Sequence, residues 1–330
     1  MGKEVPVDIL ALDIDKVSKT FYQWQRQYGF KNIWNNLFHP VKKELYALDN
    51  ISFQVQQGEF VAYAGANGAG KSTTLKILAG MLQPTSGKVS VLGKSPKENR
   101  VELMREVGVL YGQRTELWWD HPVISSFEWK KAIWNIPDDV YQRNFAMVYE
   151  LLELKDILHT FSRELSLGQR LRADIAMLLL HEPKVIFLDE PTLGLDVRIK
   201  KKVISILREI NRTKHATIIV TSHDLGDLEI MAKRILLLSQ GKLIYDGSFN
   251  GLRHRKNLFY YFQIERQGKA PTIQGFELEE TDGLCHRYKA IQENMDINSF
   301  LSAVGKISAI KNIEIGPVPI EKIISQIYEE

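Results

Sequence analysis

Gly65-Ala66-Asn67-Gly68-Ala69-Gly70-Lys71-Ser72-Thr73 is the stretch whose reading decides the fold. It fits the G-x-x-x-x-G-K-[ST] pattern of a phosphate-binding loop. The apolar run Phe60 to Ala64 before it reads as a buried parallel strand, and Ser72 to Leu78 as the following helix. Gly80 sits where that helix should be capped. Glycines let successive backbone N–H groups turn inward, so the loop can wrap phosphates at a helix N-terminus. Lys71 adds a positive charge, and Ser72 offers a hydroxyl to Mg²⁺. The bland alternative, a glycine-rich turn that happens to carry Lys-Ser, does not account for the strand and helix on either side.

The 330 residues fit one large domain plus an appendage. An apolar content of 44% and a charged content of 25% are those of an ordinary globular chain, and a net charge of +3 is too small to argue for nucleic acid. Cys285 is the single cysteine, which suits a reducing compartment. Lys3, Glu4 and Asp8 interrupt any signal-peptide pattern, and no apolar run approaches the roughly 18 residues that span a bilayer. The expectation is a soluble chain that reaches a membrane only through a partner.

Working outward, residues 8–20 alternate apolar and polar as an edge strand would, ending at Phe21 and Tyr22. An aromatic there can stack on an adenine ring or cap a core, and the residues alone leave both open. Between Tyr22 and Tyr46 the composition changes. Phe30, Ile33, Trp34, Leu37 and Phe38 share one helical face, with Lys42 and Lys43 flanking it. Such a face suits an interfacial or partner-binding helix, or one packed on its own domain. Leu48 to Val55 and Lys88 to Leu92 read as strands, as does Val107 to Leu110 leading to Gln113.

Residues from about 114 to 164 look mainly helical, a subdomain in which Asp138 and Asp139 are N-cap candidates and most of Trp118, Trp119, Trp129 and Trp134 are expected in the core. Ser166 is placed to cap a helix running to about Leu180. Val185 to Leu188 is a buried strand delivering Asp189 and Glu190, and Thr217 to Val220 another delivering His223. Strand–helix alternation from Phe60 to Leu238 argues for a parallel sheet with helices on both faces. Lys242 to Gly247 reads as a final hairpin, Arg253 to Lys256 as a linker, and the remainder as a small α+β domain with no catalytic-looking cluster.

In order, the motifs are GANGAGKST, a lone Gln113, LSLGQ from Leu165, IFLDE from Ile186, GLD from Gly194, and TSHD from Thr221. This constellation resembles the ATP-binding subunit of an ABC transporter over about Ile9 to Gly247. The resemblance implies an α/β P-loop NTPase cassette at residues 1–250, with a mixed sheet core and a helical subdomain, and a small α+β domain at 251–330. It implies ATP and Mg²⁺ as cofactors. Asn67, Gly68, Gly70, Lys71, Ser72 and Thr73 would hold the phosphates, Phe21 would stack on the adenine, and Ser72, Gln113 and Asp189 would hold the metal. Glu190 would be the general base, His223 would position the attacking water beside the γ-phosphate, and Gln113 would assist. Ser166, Gly168, Gln169 and Asp196 would serve the ATP of a second, head-to-tail subunit.

Ala66 replaces the usual proline and Leu167 the middle glycine of the usual LSGGQ; the latter variant is similar to one among type-2 exporter ATPases. The insertion at 22–46 resembles that of polysaccharide-type exporters, and the tail from Leu258 resembles the C-terminal domain of multidrug-type ones. The resemblance thus implies an ATPase that drives export through separate permease subunits. It would lie peripherally on the cytoplasmic face of the membrane and contact no nucleic acid. The competing readings are a soluble ABC ATPase acting on nucleic acid or the ribosome, and an importer ATPase.

Overall fold

A computed structural model describes residues 10–25, 41–112, 114–256, 260–290, 297–307 and 309–328. The apolar face read at Phe30 to Phe38 and the lone Gln113 lie outside the described residues. The chain divides into two compact units, Met1–Asp246 and Gly247–Glu330.

The first unit is built on three neighbouring layers. A three-stranded antiparallel sheet has the order β2(Val41–Gln56), β1(Leu10–Gln25), β4(Ser86–Val91). A six-stranded sheet has the order β5(Val107–Tyr111), β6(Val185–Asp189), β7(Thr217–Thr221), β3(Phe60–Gly65), β8(Arg234–Ser239), β9(Lys242–Ser248). Its first five strands pair in parallel. β9 joins through a two-residue turn, Gln240–Gly241, both at positive φ, as a tight hairpin requires. Between the sheets runs α1(Lys71–Leu78), whose Leu75, Ile77 and Leu78 are buried with Leu12, Ile14, Leu48 and Phe53 on one side and Tyr63, Phe187 and Leu236 on the other.

Two expectations about this layer change. β1 is the central strand of its sheet, not an edge, and it continues past Phe21 and Tyr22 to Gln25, pairing with Val41. The alternation reports that one face meets the core and the other water, a property of any antiparallel strand at a surface.

The short α2(Arg100–Met104) precedes β5, and the segment between β5 and β6 carries α3(Val123–Trp134), α4(Asp138–Leu151) and α5(Leu167–Leu179). Asp138 and Asp139 are not N-caps. Pro137 takes that position, and the two carboxylates fall in the first turn, where the helix dipole favours negative charge. The tryptophans are not core either. Trp118, Trp119 and Trp129 are exposed, Trp134 is half-buried, and Val123, Phe127, Val148 and Leu152 fill the interior instead. Trp118 and Trp129 stack on each other with centroids 4.4 Å apart, while Arg170 lies 4.8 Å over Trp119. Rings of that size satisfy each other at a surface without entering the core.

The second unit starts with a helix where the basic run Arg253 to Lys256 reads as a linker. In α8(Phe249–Lys256), Phe249, Leu252 and Arg253 are buried, because an arginine stem covers apolar surface as a methylene chain would. An antiparallel sheet follows, ordered β11(Phe276–Asp282), β12(Cys285–Ala290), β10(Tyr260–Arg266), β13(Ile310–Pro317), with α9(Ile297–Val304) and α10(Ile320–Tyr328). Phe300 is its hub. Fully buried, it lies 4.6 Å from Phe262 and 5.0 Å from Phe276, centroid to centroid.

Phe300→Ala is therefore expected to destabilise residues 247–330 by about 3–5 kcal/mol, through lost burial and the cavity left behind. Hydrogen exchange of β10 and β12 measures it. Unchanged protection there would show that the cluster does not hold the unit together.

Candidate functional site: a phosphate cleft and a second, separate cleft

β3 delivers the glycine-rich loop between the layers, and the neighbouring backbone leaves no room for side chains. Gly70 has φ +110, and a Cβ there would come within 2.5 Å of the Ala47 carbonyl oxygen on β2. Only glycine adopts that backbone in that space. The opening of α1 is fixed by the Thr74 N–H and hydroxyl, which both donate to the Gly70 carbonyl (2.9 and 3.1 Å), and by buried Tyr63, which donates to Thr74 Oγ1. Lys71 Nζ donates to the Gly65 and Ala66 carbonyls at 2.6 and 3.2 Å. Burial lowers its pKa, while the charges of Glu190 and Asp189 act the other way. A buried cation whose hydrogen bonds go to neutral carbonyls is suited to meet phosphate oxygens, which carry the opposite charge. Asn67 and Gly68 are exposed at the loop's tip, Ser72 and Thr73 half-buried at the start of α1.

Facing the loop are the C-terminal ends of β5, β6 and β7. Thr221, fully buried, donates its hydroxyl to Asp189 Oδ1 at 2.7 Å and accepts the Glu190 N–H at 3.1 Å. Glu190 stands at φ +56, a left-handed conformation that costs a non-glycine residue roughly 1–2 kcal/mol. The two bonds from its N–H, to the Thr221 hydroxyl and carbonyl, hold it there. Its Oε1 lies 2.5 Å from His223 Nε2. His223 is half-exposed on the turn into α7(Leu225–Met231), whose N-terminus Asp224 caps.

Ser72, Lys76, Met81, Tyr111, Gly112, Arg114, Asp189, Glu190 and Leu193 line a cleft of about 350 Å³. The structure thus gathers Lys71, Ser72, Asp189, Glu190 and His223 around one opening. Phe21 is exposed on β1, opposite Leu45 and close along the ribbon to Ala47, which packs on Gly70; Lys19 Nζ lies 5.2 Å from its ring centroid.

Ser166, Gln169 and Asp196 are not brought to that cleft. They line a second one of about 510 Å³, with Arg172, Arg198 and Lys202. Ser166 and Gln169 form a capping box at the start of α5, with bonds of 3.3 and 2.9 Å. Asp196 caps α6(Val197–Lys214), accepting the N–H groups of Arg198 and Ile199 at 2.9 and 3.1 Å. A Cβ on buried Gly168 would come within 2.6 Å of Ile199 Cδ1, so that glycine also lets α5 and α6 approach. Leu167, the bulkier residue in the signature, is exposed and points no side chain into the core.

Two contributors escape a reading of the sequence. Thr221 stands inside the quoted TSHD string, but a β-branched residue at a strand end carries no visible role. Tyr111 ends an apolar strand, and only its register places it beside Asp189. Burial, then the Asp189 charge, pushes its phenol up to about 12, so it stays a neutral donor, here to Met81 Sδ at 3.0 Å.

The ABC transporter family matches residues 48–193. The chain is 32% identical to the uncharacterized ABC transporter ATP-binding protein YhcH of Bacillus subtilis, over 72% of this chain and 77% of that one. It is 28% identical to the bacitracin transport ATP-binding protein BcrA of Bacillus licheniformis, over 76% and 83% respectively. It is 30% identical to the zinc uptake system ATP-binding protein ZurA of Listeria monocytogenes, over 67% and 86%. In fold it is similar to the dimeric ATP-binding cassette MJ0796 in a post-hydrolysis state bound to ADP and Pi, with TM-score 0.59 and 24% identity over 72% of this chain and 98% of that one. On this evidence the chain belongs to the ABC transporter family, as one of its ATP-binding subunits.

Proposed function

We propose that this chain hydrolyses ATP as the head-to-tail dimeric motor of an exporter, peripheral to the cytoplasmic face of the membrane. The observation that carries the chemistry is the 2.5 Å contact between Glu190 and His223 at the mouth of the phosphate cleft. Glu190 is the general base toward the attacking water, and His223 aligns that water with the γ-phosphate. Lys71 and the backbone from Gly68 to Thr73 hold the phosphates. Ser72 and Asp189, on the same cleft, offer the hard oxygens that would hold Mg²⁺ together with phosphate and water; Gln113 would be a further ligand. When bound, the ion neutralises charge developing on the phosphates. Phe21 stacks on the adenine.

The separation of the two clefts supports the dimer. Ser166, Gln169 and Asp196 line a cleft that shares no residue with the phosphate cleft, so with Gly168 they are free to complete the site of a second copy. Among the described residues no helix is long and apolar enough to cross a membrane. Separate permease subunits carry the transport path in this reading. The exposed pair Trp118 and Trp129, in the segment after the phosphate cleft, is a surface suited to receive one. Export is favoured by the bacitracin-transport relative together with the insertion at 22–46 and the C-terminal unit. The zinc-uptake relative is the observation on the side of import, and the nature of the co-purified permease decides between them.

Glu190→Gln should bind ATP normally and lose on the order of 10²-fold or more in turnover in the assembled complex. Near-parental hydrolysis would remove Glu190 from the role of base. A mixture of Lys71→Ala and Ser166→Ala chains should recover partial activity that neither has alone, because one composite site keeps both residues. Normal hydrolysis by the Ser166→Ala chain alone would sink the head-to-tail arrangement. Replacing Trp118 and Trp129 by Ser should weaken co-purification with the permease while changing stability by less than about 1 kcal/mol, since both rings are exposed. Intact complex with lost stability would make the pair structural.

A further inference from the structure

Outside the phosphate cleft, one buried carboxylate ties two distant parts of the chain together. Asp174 lies on α5, about two turns beyond Ser166, and is 6% exposed. Its Oδ1 accepts the Thr115 hydroxyl at 2.8 Å and the Glu116 N–H at 3.2 Å. Thr115 Oγ1 in turn accepts the Leu117 N–H at 3.0 Å. At its other end this segment is fastened to the cleft: the Gly112 N–H donates to the Asp189 carbonyl at 2.7 Å, and a Cβ on Gly112 would come within 2.6 Å of that oxygen. Tyr111, Gly112 and Arg114 line the cleft itself. A short piece of chain therefore runs from the phosphate cleft to the signature helix, anchored at both ends.

We propose that Asp174 is a positioning residue for ATP hydrolysis: its carboxylate makes the segment leaving the phosphate cleft move as one piece with the helix that begins at Ser166. This rests on the head-to-tail reading above. In such a dimer the N-terminus of α5 meets the partner's ATP, while Tyr111, Gly112 and Arg114 edge the chain's own site. The Asp174 fastening then makes the geometry of one site depend on what occupies the other.

The location is an expensive one for a carboxylate. Burial raises the Asp174 pKa from 3.8 to about 7, against the lowering effect of the Thr115 and Glu116 bonds; nearby Glu116 raises it further, and Arg170 lowers it. Among the described residues, Glu116 and Arg170 are the charged groups acting on it, and Lys130 of α3 pairs with that Glu116 at 3.1 Å. Because the folded-state value lies above the unfolded one, the stability present below about pH 4 is lost as the pH rises to about 7. A neutral side chain would be cheaper at neutral pH, and a charge kept at such cost is commonly one that function uses.

The test uses the full chain assembled with its permease and compares Asp174→Asn, Asp174→Ala, Thr115→Val and the double Asp174→Ala/Thr115→Val. Melting temperature, ATP affinity and turnover are read between about pH 5 and pH 8, on either side of the expected titration. Asp174→Asn, which can keep both bonds through its amide oxygen, should melt higher than the parent at the alkaline end, converge with it at the acid end, and keep turnover within about twofold of the parent's. Asp174→Ala and Thr115→Val should each reduce turnover roughly tenfold with ATP affinity changed less than about twofold, and the double should lose no more than either, as partners in one interaction do. A tenfold loss in Asp174→Asn as well as in Asp174→Ala, or losses that multiply in the double, overturns the proposal. An unaltered complex with no ATPase activity overturns the reading it rests on, and the inference with it.

Discussion

Tyr111, Asp189 and Thr221 are register partners across three neighbouring parallel strands, and this alignment places the chemistry. Each strand ends at the same level, so the tyrosine edge, the carboxylate and the threonine that orients it arrive together. Parallel pairing with helical crossovers gathers the carboxyl ends of all strands on one side, and the phosphate loop leaves β3 on that side too. A one-residue slip of β6 against β7 would put Asp189 on the wrong face, and Thr221 would lose both its bond to that carboxylate and its hold on the Glu190 N–H.

Close backbone packing then dictates where glycine is needed. Gly70 lies against Ala47 of the antiparallel sheet, and the Gly241 N–H donates to the Ala69 carbonyl at 3.1 Å while Asp49 N–H donates to the Gly241 carbonyl at 2.8 Å. Three segments far apart in sequence thus clamp one loop. The same logic at Gly168 serves α5 against α6, so a glycine whose motif points to a partner's phosphate also has a task inside its own chain.

The molecule keeps polar and strained groups where folding alone would remove them. Glu190 holds a left-handed backbone, Lys71 is buried among carbonyls, and Asp174 is buried on the signature helix. Each costs stability by itself, and each is held by neighbours that overdetermine it. Burial of the first unit's apolar cluster offsets these costs.

Much of the cassette was legible in the residues because its signals are local. The glycine pattern, the Ser166 cap and the apolar strands ending in Asp189 and at Thr221 each depend on neighbours in sequence, and the structure puts elements at those places. The strands and helices from Tyr260 onward were legible for the same reason, since period-two and period-3.6 patterns separate cleanly there. Sequence by itself could not decide which strand was central, because alternation marks a wet face and not a position in the sheet. Nor could it place the tryptophans, whose rings can bury or stack at a surface, or recognise a helix in Phe249 to Lys256 whose buried face includes an arginine. Only the tertiary structure gathered Ser166, Gln169 and Asp196 into one cleft with Arg172 and Lys202, and only it joined Asp174 to Thr115. Those relations cross dozens of residues, and no local pattern encodes a contact whose two halves are set by packing.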